Sequence, residues 1–155
     1  MFREMRLKEQ QLSDERAVEI LENQTHGVLA LDGDDGYPYS VPVSYVYTGG
    51  KIYFHGACRG HKLDAVKKNS KVSFCVVEKD EIIPEDFNTL FLSVIAFGRA
   101  SVVENSQEKQ QALELILKKY SAGHMESGKD YIKGEWDNVC AVRIDIEHLT
   151  AKEGI

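Results

Sequence analysis

The segment FHGACRGHKLDA, Phe54 to Ala65, gathers the residue types from which an anion site is built. His55 and Gly56 end a β-branched and aromatic run, Ala57 to Gly60 make a short loop, and His61 and Lys62 open a stretch with helical spacing. The first turn of a helix leaves backbone N–H groups unpaired and carries the positive end of the helix dipole. A phosphate there would meet those amides together with Arg59, His61 and Lys62. A capped helix with a basic first turn is also a common surface feature, so the spacing alone leaves both readings open.

Pro42 is the second candidate. It interrupts the strand-like run PYSVPVSYVY, removes one ladder donor, and marks an edge or a bulge. Backbone groups freed between Val41 and Ser44 could pair with the acceptor-rich edge of a flat heterocycle as they would with another strand. A proline that only blocks edge-to-edge association explains the residue equally well.

His55 is set apart from His26, His124 and His148 by these neighbours. At a strand end it could give a hydrogen bond or a proton to a bound substrate, or simply bond phosphate or backbone. His55, Cys58 and His61 have zinc-ligand chemistry, but a closed site needs a fourth ligand that no paired motif supplies, and no metal is expected. Asp32 to Gly36, DGDDG, has its glycine one place early for a calcium loop and lacks the closing glutamate, so it reads as a turn.

The elements that must position these residues follow from periodicity. Ser13 caps a first helix running to about Asn23. Strands are expected over Gly27–Leu31, Pro38–Tyr47 and Lys51–Gly56, joined by glycine-rich turns. A helix from His61 to Asn69 and a strand over Lys71–Glu78 come next, then a polar stretch to Asn88. Thr89 to Glu104 reads as one bent strand or two with Gly98 at the bend. Ser106 is expected to cap a helix whose Leu113, Ile116, Leu117 and Tyr120 share a face. Ser121 to Asn138 has no clear period and reads as a long loop, and Val139–Leu149 forms the last strand. Helices inserted among some six strands, without strict βαβ alternation, favour an antiparallel barrel over a doubly wound sheet.

Composition narrows the classes. A chain of 155 residues with 43% hydrophobic and 28% charged residues suits a single domain, 1–155, with one core. A net charge of −6 opposes nucleic-acid binding but leaves room for a local basic pocket. No apolar run approaches a bilayer span and the start is too polar for a signal peptide, so no membrane partner and a cytoplasmic location are expected. Cys58, Cys75 and Cys140 lie far apart without a CxxC pair, which suits reduced thiols.

In order and spacing, GDDGYPYSVPVSYVY, KIYFHGACRGHKLDAVKKNSKVSFCVV, SVIAFGRASVVE and IDIEHLTAKEG resemble the nitroimidazole-resistance branch of the FMN-binding split-barrel superfamily, the pyridoxamine 5′-phosphate oxidase-like proteins. The resemblance implies a β+α chain, a six-stranded antiparallel split β-barrel, and a homodimer with two FMN molecules at its interface. It implies an FMN-dependent oxidoreductase for a small acceptor, nitroaromatics among them; a non-catalytic flavin- or haem-binding protein is the alternative. By position, Tyr39, Ser40, Val41, Pro42, Val43 and Ser44 would line the ring and ribityl chain. His55, Gly56 and Ala57 would contact it from the next strand, with His55 the catalytic candidate. Arg59, His61 and Lys62 would grip the phosphate, Ser93 would face the flavin, and Trp136 would cover it. The oxidase relatives carry a basic residue where this chain has Tyr39, which leaves more of the phosphate charge to Arg59, His61 and Lys62.

Overall fold

Ser13 opens the first helix as its residue type predicts: its hydroxyl accepts the N–H of Arg16 at 3.2 Å. In the computed structural model, which describes residues 1–154, α1 (Asp14–Asn23) follows and buries Ala17, Ile20 and Leu21 along one stripe. The remaining elements are β1 (His26–Asp32), β2 (Pro38–Ser44), β3 (Val46–Thr48), β4 (Lys51–Ala57), α2 (His61–Lys68), β5 (Lys71–Ile83), β6 (Asn88–Val102), α3 (Ser106–Tyr120), α4 (Met125–Glu135) and β7 (Val139–Gly154).

All seven strands belong to one antiparallel sheet in the order β2-β1-β5-β6-β7-β4-β3. β2 and β3 occupy its two opposite edges although Tyr45 alone separates them in sequence. Two residues span at most about 7 Å, so the sheet must curl until its edges lie side by side. No ladder joins those edges among the described residues, and the sheet stays open at this seam.

The same seam explains why the expected six strands are seven. Pro38 to Tyr47 does not run as one strand. At Tyr45 the backbone leaves the ladder, and its N–H is taken at 2.9 Å by the Tyr120 hydroxyl, which also bonds the carbonyls of Tyr45 and Thr25. The Tyr45 side chain turns into the core and donates to the Leu21 carbonyl at 2.6 Å.

Alternation along the strands sorts side chains to two faces. Leu29, Ile52, Phe54, Phe74, Val76, Val94, Val142 and Ile144 point inward and are closed over by α1 and by Leu63, Ala65 and Val66 of α2. Tyr53 faces the other way, into a smaller cluster with Ala112 and Ile116 of α3. Gly98 sits at a β6 bulge, where a Cβ would lie 2.3 Å from the Asp145 carbonyl oxygen.

Four expectations need correction. β5 and β6 continue through the polar stretch as a long hairpin to Ile83 and Asn88, because antiparallel pairing supplies the backbone bonds that these polar side chains do not oppose. β7 runs on to Gly154 against β6 for the same reason. The cap of α3 is Asn105, whose side chain accepts the Glu108 N–H at 2.9 Å, with Ser106 already helical. The segment read as a loop after Ser121 holds α4, which packs on α3 where Gly128 meets Leu117.

The thiols also differ from expectation. Cys58 and Cys140 form a disulfide, and Cys75 is the free cysteine. They lie 82 residues apart in sequence, but the β4–β7 ladder sets Gly56 opposite Cys140 and brings the two Cα atoms to 5.0 Å.

Candidate functional site

The end of β4 and the start of α2 border a small cleft of about 120 Å³, walled by Tyr39, Gly56, Ala57, Arg59, His61 and Lys62 among others. Gly60 precedes α2 with φ +126°, a backbone state that side-chain-bearing residues rarely adopt. It gives α2 no side-chain cap, so the first-turn amides keep their capacity for a ligand. Arg59 and Lys62 pair with no carboxylate among the described residues. His61 is held more firmly: its ring stacks on Tyr39 with centroids 3.8 Å apart, and Nε2 lies 3.8 Å from Asp34.

On the opposite side of Gly56 and Ala57 lies a larger cavity of about 800 Å³, framed by the end of β4, α3, α4 and Ser44. His55 belongs to the strand face that carries Tyr53, but it lies past the cover of α3 and opens into this space. Solvent reaches it, yet the concave wall surrounds it with protein, and that partial burial lowers its pKa. The imidazole is therefore biased toward its neutral form, able to accept as well as donate a hydrogen bond. Tyr120, on the cavity wall, has its pKa raised by burial and remains a phenol.

β2 is an edge strand. Ser40, Pro42 and Ser44 are exposed on it, while Tyr39, Val41 and Val43 pack against the core. The structure thus brings together Tyr39, Gly56, Ala57, Arg59, His61 and Lys62 around the cleft, and Ser44 and His55 beside it. It does not bring Ser93 or Trp136 there. Ser93 pairs with Val77 and Lys152 in mid-sheet. Trp136 follows α4, with Lys109 Nζ 4.2 Å over its ring, and borders a separate groove with Lys129 and Lys133. His55, Cys58 and His61 form no metal cluster, Cys58 being bonded to Cys140.

Sequence reasoning missed the α4 wall of the cavity: His124, Gly128, Tyr131, Ile132 and Glu135. Their spacing of three and four was the available signal, but only one is an aliphatic residue.

A family profile now bears on this geometry: that of the pyridoxamine 5′-phosphate oxidases matches residues 13–153. The chain belongs to this family. No curated protein matches the sequence. Among solved structures, the flavocytochrome Anf3 from Azotobacter vinelandii superposes with a TM-score of 0.84 at 19% identity, over 97% of this chain and 72% of that one. A protein provisionally assigned to 5-nitroimidazole antibiotic resistance in Bacteroides thetaiotaomicron gives 0.80 at 18% identity, over 93% and 86%. An FAD-binding protein from Mesorhizobium loti gives 0.66 at 24% identity, over 94% and 96%. These likenesses establish the fold. No described helix is long and apolar enough to cross a membrane.

Proposed function

We propose that the chain binds FMN and works as an oxidoreductase for a small acceptor, as a homodimer with a flavin at each interface. The observation that carries this reading is the uncapped start of α2, where free amides, Arg59 and Lys62 converge on a cleft sized for one phosphate group. Its residues suit a flavin phosphate, and the free edge of β2 beside it offers backbone groups to a ring. The flavin-binding names of the Azotobacter and Mesorhizobium structures support a flavin over other phosphate esters.

A bound flavin supplies one- or two-electron transfer, and the chain's part is to hold and orient it. Arg59, Lys62 and the α2 amides bind the phosphate, Tyr39 fixes the ring of His61 against the same cleft, and Val41 to Ser44 present backbone along the ring edge. His55, kept toward neutrality, exchanges a proton or hydrogen bond with what enters the large cavity. FMN is favoured over FAD because the cleft holds one cationic phosphate site.

Val28, Val77, Ile95 and Phe97 are 41%, 51%, 41% and 38% exposed on the outer face of the sheet, an apolar surface that a second copy would cover. Ser93 lies on that face, so its contact with a flavin would be to the one held across the interface; Trp136 has no part in this arrangement.

Fluorescence titration tests the reading. FMN is expected to bind on the order of tenfold or more tighter than riboflavin, which lacks the phosphate. Equal or tighter riboflavin binding would refute it. Light scattering should give the dimer mass, and a flavin-bound monomer would remove the shared site.

A further inference from the structure

We infer that the 800 Å³ cavity beside His55 is the acceptor site, and that it takes a flat, apolar, uncharged molecule while rejecting phosphorylated substrates such as the pyridoxamine 5′-phosphate that gives the family its name. The assignment of the occupant as an acceptor rests on the flavin reading; the chemistry of the cavity does not.

Its volume lies in the range of small-molecule sites. Leu113, Ile116, Leu117 and Ile132 give it an aliphatic floor, and the rings of Tyr120 and Tyr131 stand along it. Flat rings bind such walls through burial and aromatic contact. No lysine or arginine lines it, and its one carboxylate is Glu135.

The nearby cations are turned elsewhere. Lys129 and Lys133 of α4 border the groove on the other side of that helix. Lys109 donates to the Trp136 carbonyl at 2.7 Å, and Lys119 is engaged by the Gln24 carbonyl and the Tyr45 ring. A phosphate dianion here would lose water, find no lysine or arginine but only the imidazoles of His55 and His124, and face Glu135. The free cations Arg59 and Lys62 serve the small cleft instead, on the far side of Gly56 and Ala57. Charge thus divides the two spaces: the cleft receives an anion, and the cavity receives a neutral ring.

Two probes with the same ring system and different charge test this: 2-naphthol, neutral, and naphthalene-2-sulfonate, an anion. Calorimetry with the full chain at about pH 8, above the ordinary imidazole range, is run with and without saturating FMN. 2-Naphthol is expected to bind at least on the order of tenfold tighter than the sulfonate, and pyridoxamine 5′-phosphate should not displace it. Ser127→Trp, at an exposed α4 position that lines the cavity, should abolish naphthol binding while FMN affinity is retained. Glu135→Lys should narrow the gap between the probes. Equal or tighter sulfonate binding, unchanged naphthol binding in Ser127→Trp, or displacement of naphthol by FMN would overturn the inference. Failure of FMN to bind while the naphthol preference holds would overturn the flavin reading and leave the cavity's selectivity standing.

Discussion

Tyr39 and His61 stack with their ring planes 21° apart, joining the edge strand β2 to the first residue of α2. Tyr39 thus holds the His61 ring beside the cleft that Arg59 and Lys62 border. Tyr39→Ala should therefore weaken FMN binding by several-fold, in line with the roughly 0.5–1.5 kcal/mol of an aromatic pair. Tyr39→Phe, which keeps the stack, should bind FMN nearly as the parent does. Equal losses in both would assign the effect to the hydroxyl instead.

Lys62→Ala is expected to cost FMN affinity on the order of 1.5–3 kcal/mol, the range of a hydrogen bond to a charged group. Lys67→Ala should cost little, because Lys67 lies exposed near the end of α2 away from the cleft. Calorimetry at moderate salt separates the two. Equal losses would place the phosphate elsewhere.

Reduction of Cys58–Cys140 should lower stability to urea by about 2–4 kcal/mol, since the bridge closes a long loop in the unfolded chain. Cys58→Ser should match the reduced protein and lose its response to reductant, whereas Cys75→Ser should keep that response. Thiol titration of the unfolded, unreduced chain should find Cys75 alone reactive.

The pH dependence of stability should carry a signature of His55. Its folded pKa lies below the ordinary value of about 6.5, so the unfolded chain takes up the proton first as pH falls. The stability attached to its neutral form is full above about pH 6.5 and declines as pH drops toward the folded pKa. His55→Asn should flatten the melting-temperature profile in that mildly acidic window. An unchanged profile would mean that the imidazole is not desolvated.

Much of this molecule could be read from local sequence. The Ser13 cap, the Gly60 turn before α2, the bulge at Gly98 and the alternation of β5 are each fixed by neighbouring residue types, because caps, left-handed turns and pleats are local physics. So is the grouping of Arg59, His61 and Lys62, which one loop and one helical turn hold together. What joins distant segments was decided only in three dimensions. Cys58 finds Cys140 through the β4–β7 register, and Tyr120 reaches back across the seam to end β2 at Tyr45. α4 escaped a local reading because Gly128 and Gly134 weaken its helix propensity and Ile132 is its one buried residue, while the contact that seats it, Gly128 against Leu117 of α3, is made only in three dimensions.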